Sequence, residues 1–423
     1  MVHVRELIRH KNPSYIPSDW KYAALGEIGN LLSGLTYSPD NIDENGTLVL
    51  RSSNINNGFL EFDDNVYVDT TSLKFNPVEE GDILICVRNG SKSLIGKNAL
   101  ITEEAEGMAF GAFMALYRSE HNQFLTHLFN TDLYNSQIHR NLGATINSIN
   151  GSDFKKFHFP FPPRKERIKI AEILSTWDEA ISTQGQLLKE SLRRKKGLEQ
   201  QLLSGKVRFG EFVNSTSSHK TPVGELPEDW ELKLISDIVE RVKKPFTPEP
   251  DTLYREIGIR SHCKGIFHKE EVTGVSLGNK SVFWIQPDCF VVNIVFAWEH
   301  AIAKTTEAEV GMIASHRFPM YKPKKGVLDL DYLLYYFKTA RGKHLLGLAS
   351  PGGAGRNKTL GQSEFAKLKI PVPSIEEQKK IVAVLAEADK EIELLQKHID
   401  TLKEQKKGLM QKLLTGEIRV KIN

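Results

Sequence analysis

Cysteine is scarce in this chain. Cys86, Cys263 and Cys289 are the only three in 423 residues, odd in number and far apart. That argues against a disulfide framework and for a reducing compartment. Charge of one sign is missing too: 56 Lys and Arg stand against 53 Asp and Glu, a net +3. A cationic coat and an acidic tail are both excluded, although a near-neutral total still allows local basic surfaces and nucleic acid as a partner. No apolar run reaches the roughly 18 residues of a membrane span, and Met1 to Lys11 is too polar for a signal peptide. A cytoplasmic protein is expected. The 40% hydrophobic and 26% charged residues are ordinary for a globular chain of two or three domains.

Catalytic motifs are also lacking. Asn12-Pro13-Ser14-Tyr15 has one proline too few for the Asn-Pro-Pro-Tyr loop of amino-methyltransferases. Gly90 to Asn98 has one residue too many between its glycines for a P-loop, and Asn98 stands where Ser or Thr should meet magnesium. His262, Cys263 and His268 lack a second well-spaced ligand pair. No Gly-x-Ser-x-Gly elbow is present. Neither catalytic residues nor a metal or cofactor site is expected on this chain.

What the sequence does contain is a repeat. Ile16-Pro17-Ser18-Asp19-Trp20 returns as Leu226-Pro227-Glu228-Asp229-Trp230, 210 residues later. Pro160-Phe161-Pro162 returns as Pro371-Val372-Pro373, Lys195-Lys196-Gly197-Leu198 as Lys406-Lys407-Gly408-Leu409, and Leu202-Leu203-Ser204-Gly205 as Leu413-Leu414-Thr415-Gly416, all at 211. One unit has been duplicated.

Each copy ends in a predicted long helix. Ile381, Leu385, Ile392, Leu395, Ile399, Leu402, Leu409 and Leu413 keep a heptad seam in the second. Ile170, Leu174, Trp177, Ile181, Leu188, Leu198 and Leu202 match it in the first, with Gln184, Ser191 and Lys195 weakening the middle. Prolines bar helix upstream, and Gly205 and Gly416 suit helix ends. A narrow seam of this length needs a partner helix, and the chain supplies two. A two-fold arrangement of the copies makes the pair antiparallel. Asn214 to Lys220 is small and polar, as a linker is.

The remaining segments do not look like copies of each other. Both mix short apolar runs with Gly, Asn and Pro and read as α+β, strand-rich domains, with short helices at Gln123 to Leu142 and Asp331 to Gly347. Polar, basic loops follow the predicted strands. In the first copy they hold Arg51, Ser53 and Asn54, then Arg88, Asn89, Ser91, Lys92 and Lys97; in the second, Arg260, His262 and Lys264, then His316 and Arg317, then Arg356, Asn357 and Lys358. Such residues donate to phosphates, and Arg and Asn also read guanine or adenine edges bidentately.

Together these features resemble the specificity subunit of type I restriction–modification enzymes over nearly the whole chain. The resemblance rests on the Pro-x-Asp-Trp openings, the Pro-x-Pro exits and the endings Lys-Lys-Gly-Leu-x-x-x-Leu-Leu-[Ser/Thr]-Gly; Gly81-Asp82-Ile83-Leu84 before Arg88-Asn89-Gly90 is similar to that family's recognition domains. It implies two target-recognition domains, at 1–163 and 225–374, each reading half of a split, asymmetric duplex DNA sequence. Spacer helices at 164–210 and 375–423, with a linker at 211–224, form an antiparallel, pseudo-two-fold coiled coil that docks two methylation subunits. Those carry S-adenosylmethionine and methylate adenine, and restriction subunits bring ATP- and magnesium-dependent chemistry. Two rival functions remain: a DNA-independent two-headed scaffold, and a fused methyltransferase or nuclease with degenerate motifs.

Overall fold

The computed structural model describes residues 16–142, 147–222, 224–352 and 358–422. Asn12-Pro13-Ser14-Tyr15 lies outside them. The chain forms two compact units, one joining Met1–Gly185 to Lys397–Asn423 and the other running Gln186–Gln396. The boundaries fall inside the long helices, Arg164–Leu202 and Ile375–Leu413, each of 39 residues.

In the first unit the main strands are β1 (Lys21–Ala24), β2 (Asn30–Ser33), β3 (Ile42–Leu50), β4 (Ile83–Cys86), β5 (Asn98–Leu100), β6 (Ala109–Phe110), β7 (Met114–Arg118) and β8 (His158–Phe161). An antiparallel sheet of order β2-β7-β4-β5 forms its centre. The unbroken apolar run Ile83 to Cys86 makes β4 a fully buried strand. β3 pairs in parallel with β6, and β1 pairs antiparallel with β8.

The second unit repeats this with β9 (Glu231–Leu234), β10 (Val239–Val242), β11 (Leu253–Ile259), β12 (Phe290–Val292), β13 (Ile302–Lys304), β14 (Ile313–Ser315), β15 (Met320–Pro323) and β16 (Lys369–Val372). The sheet order is β10-β15-β12-β13, β11 runs parallel to β14, and β9 pairs with β16. Lys21 faces Phe161 in one unit, and Glu231 faces Val372 in the other. Segments that share no visible sequence therefore share a topology. Buried strands require only apolar side chains of suitable volume, so the residues diverge while the pairing persists.

Two expectations change. Each predicted short helix is a pair, Asn122–Leu128 with Asp132–Arg140 and Leu330–Lys338 with Ala340–Leu348. The breaks are caps: the Thr131 hydroxyl accepts from Tyr134 N–H, and Thr339 from Gly342 N–H. The linker ends in a hairpin, Ser218–Thr221 against Gly224–Pro227, rather than in open chain.

Helix pairing is visible inside each unit. In the first, Ile170 and Leu174 from the start of the first long helix share a core with Met410, Leu413 and Leu414 from the end of the second. In the second, Leu202 and Leu203 share a core with Ile381 and Leu385. Start meets end each time, so the pairing is antiparallel. None of the predicted seam residues is exposed. Lys195, a polar seam position, is paired with Asp389 in the second unit, and Lys406, its match in the other long helix, with Asp178 in the first. Ser191 is buried and donates to Glu391. Polar seam pairs of this kind fix register.

The Pro-x-Asp-Trp openings acquire a physical reason. Trp20 Nε1 donates to Glu166 at 2.9 Å, and Arg419 grips both Glu166 and Asp19. In the second unit Trp230 donates to Glu377 at 3.1 Å, and Arg208 grips Glu377 and Asp229. The tryptophan, glutamate and aspartate come from one copy of the repeat and the arginine from the other. Gly416 has a φ of 76° and Gly205 of 71°. A Cβ at Gly416 would lie 2.5 Å from Pro17 Cδ, and one at Gly205 would lie 2.7 Å from Pro227 Cδ. Only glycine can turn the chain this close to the tryptophan corner.

Candidate nucleic-acid interface

In the first unit the two predicted loops converge. β3 delivers Arg51 to Asn54 and β4 delivers Arg88 to Lys97. Asn89 Nδ2 donates to Ser52 Oγ at 3.2 Å, and Lys97 Nζ donates to Ser52 O at 3.1 Å. Arg88, Ser91 and Lys92 are exposed, with Lys92 opening a short 3-10 turn. Arg88 stands 5.6 Å from the ring of Phe113, whose carbonyl accepts from Val87 and Arg88 N–H at 3.0 Å each. Asn147 Nδ2 donates to Gly90 O at 2.8 Å, and Ser148 bridges Arg88. Exposed donors thus sit on a loop held by its backbone.

Not every predicted residue belongs there. Asn54 is fully buried, and its amide donates to Glu61 O and Asn65 Oδ1. It builds the turn and offers nothing to a ligand. Arg51 is tied to Asp64 at 3.1 Å. Ser53 is exposed beside them. Asp82, in the Gly81-Asp82-Ile83-Leu84 motif, is structural: it accepts from Arg118 and from Glu79 N–H.

In the second unit β11 ends in Arg260, which donates to Ile266 O and lies 4.7 Å from the Phe267 ring. His262 and Cys263 adopt positive φ and donate their N–H to Glu299 O and His300 O. Ser261 Oγ donates to Glu299. His262, Lys264, His316 and Arg317 are exposed. Lys358 lies 5.6 Å from the Trp298 ring. Arg356 and Asn357 lie outside the described residues. Beneath this cluster His300 is buried with Nε2 unpartnered; burial, then the charges of Lys343 and His262, pull its pKa down to about 4.

The backbone matches the two clusters. Val87 N–H donates to Phe113 O, and Ile149 N–H to Val87 O; Ile294 N–H donates to Arg317 O, and Leu360 N–H to Ile294 O. Val87 thus corresponds to Ile294, and Phe113 to Arg317. Arg51 and Arg260 correspond as the residues following β3 and β11. Sequence reasoning missed Phe113, Asn147 and Trp298, because only strand pairing brings them to the loops it identified.

Among the described residues no three His, Cys, Asp or Glu side chains are grouped to hold a metal. His268 bonds Glu309 at 3.1 Å, which separates it from the ligand set considered with His262 and Cys263. The three thiols are free, and burial pushes each one's pKa up. No helix among the described residues is long and apolar enough to cross a membrane.

The family model for the type I restriction modification DNA specificity domain matches this chain twice, over residues 17–191 and 227–404. The chain belongs to that family. Each match opens at the proline of Pro-x-Asp-Trp, so the family unit and the internal repeat coincide. Among similar proteins, the type I restriction enzyme StySPI specificity subunit of Salmonella potsdam is 21% identical, over 96% of this chain and 90% of that protein. The EcoKI specificity subunit of Escherichia coli is 31% identical over 38% of this chain and 36% of its own. The S subunit of a type I restriction–modification system from M. genitalium shares the fold, with a TM-score of 0.57 at 15% identity over 96% of this chain and 98% of that one.

Proposed function

We propose that this chain is the DNA sequence-specificity subunit of a type I restriction–modification system, and that each unit reads one half of a bipartite, asymmetric duplex target. One observation carries the reading. Matched backbone positions, at the ends of the same strands, present different side chains in the two units: Phe113 in one where Arg317 stands in the other, and Arg88 and Asn89 after Val87 where Val295 and Phe296 follow Ile294. A duplicated frame with dissimilar loops suits two different half-sites, because phosphates are met by basic donors anywhere while base edges need particular side chains.

The chain performs no catalysis itself in this reading. Two methylation subunits dock on the paired helices and supply S-adenosylmethionine and adenine methylation, and restriction subunits join through them with ATP and magnesium. The assembly works in the cytoplasm. Co-expression with the cognate methylation subunit, followed by mapping of methylated adenines, tests this. A split sequence with a fixed gap is expected. Methylation by the chain alone, or duplex binding without sequence preference in the complex, rules it out.

A further inference from the structure

An exposed phenyl group alone is ordinary on a protein surface. Phe113 differs in what holds it. Its carbonyl accepts two backbone hydrogen bonds of 3.0 Å from Val87 and Arg88, so the main chain is pinned to the Arg88 loop while the side chain stands 56% exposed. The neighbouring turn is equally fixed: Leu35 bridges Gly111, and Gly111 N–H donates to Leu50 O at 2.9 Å. The ring therefore projects from a rigid support with the Arg88 guanidinium 5.6 Å from it, on the loop whose Asn89 bonds Ser52, donors that can hold phosphates and base edges. At the corresponding place in the second unit stands Arg317, a residue with the opposite chemistry.

We infer that Phe113 and Arg317 mark one base-reading position of the duplicated fold, at which Phe113 recognises an apolar group on a base edge, the C5 methyl of thymine. The inference rests on the proposed DNA-reading function and extends it to a residue type that a search for polar donors passes over. The thymine methyl is the one apolar feature of the major-groove edge, and phenyl contact with it excludes water from both. Arg317 takes the guanine acceptor pair at the equivalent point, so one backbone position distinguishes A·T from G·C between the two half-sites.

The test uses the complex with its methylation subunit and duplexes in which each thymine of both half-sites is replaced in turn by deoxyuridine. That change removes one methyl and nothing else. Wild type is expected to lose about fourfold in affinity at one thymine of one half-site, the value of one buried methyl. Phe113→Ala is expected to lose that sensitivity there while keeping the wild-type response at every other position. Phe113→Arg should shift the mapped methylation motif toward G·C at the same base pair and leave the other half-site unchanged. A wild-type complex indifferent to every replacement, or a Phe113→Ala complex with the full wild-type sensitivity profile, overturns the inference. If Phe113→Ala weakens binding uniformly, the ring supports the loop and reads nothing, which also overturns it. A wild-type complex with no bipartite motif instead defeats the DNA-reading function itself.

Discussion

Arg208 closes on Glu377 with two hydrogen bonds of 2.8 Å across 169 residues of chain. The glutamate is buried, and the arginine side chain is only 7% exposed. Removing the guanidinium leaves a carboxylate without its charge partner in the core. Arg208→Ala is therefore expected to destabilise the second unit by about 3–5 kcal/mol. Arg419→Ala should cost the first unit less, because Arg419 is 42% exposed and water can replace part of what it supplies. Denaturant unfolding of the two variants checks the order; equal losses would contradict it.

The loop residues divide into readers and builders. Asn89→Ala and Arg88→Ala should each weaken DNA binding by about 1–3 kcal/mol where a bidentate base contact is lost. Asn54→Ala should act differently, lowering thermal stability because the backbone groups it satisfies are left unpaired. Binding isotherms beside melting curves separate the classes. A fully stable Asn54→Ala with altered specificity would show that the burial has been misread.

Acid should loosen both units through buried histidines. Burial, followed by the charge of Lys406, pulls the His127 pKa down to about 3, and Asp178 and Ser175 face the ring at 3.4 and 3.3 Å. His300 lies near 4 in the second unit. A folded pKa below the unfolded value means that protons bind the unfolded chain more tightly. The contribution is complete above pH 6.5 and is lost as pH falls toward 3 for His127 and toward 4 for His300. His127→Asn should flatten the pH dependence of the first unit's unfolding midpoint in that window. An unchanged slope would place the acid sensitivity elsewhere.

Helix length should set the gap between half-sites. One heptad added to both long helices, near Leu188 and Ile399, keeps the seam and lengthens each by about 10 Å. That corresponds to roughly three base pairs of duplex rise. Rotation around a turn of about 10 base pairs decides which lengths remain active. In tolerated variants the mapped gap should change and both half-sites should stay fixed. An altered half-site with an unaltered gap would mean that the helices do not space the readers.

The repeat, the two long helices and their glycine ends were legible because they obey local rules: heptad spacing, proline exclusion and the left-handed turn that Gly205 and Gly416 supply. The likeness of the two strand-rich domains was not legible. Pairings such as Val49 with Ala109 and Glu256 with Ile313 join residues far apart in sequence, and no spacing rule encodes them. The site followed the same division. Arg88 and Asn89 announce themselves by type beside a strand, but Asn54 looks the same and is swallowed by its own turn. Phe113 carries no local signal, since only the bonds from Val87 and Arg88 bring it to the loop.

The exchange of helix ends also dictates a timetable. The second unit, Gln186–Gln396, is one uninterrupted stretch and holds all its partners once residue 396 has left the ribosome. The first unit begins earlier but must wait for Met410, Leu413, Leu414 and Arg419. At about 5–20 residues per second, the apolar face around Ile170 and Leu174 stands uncovered for roughly 10–50 s of synthesis. The half of the chain that is made first is thus completed last.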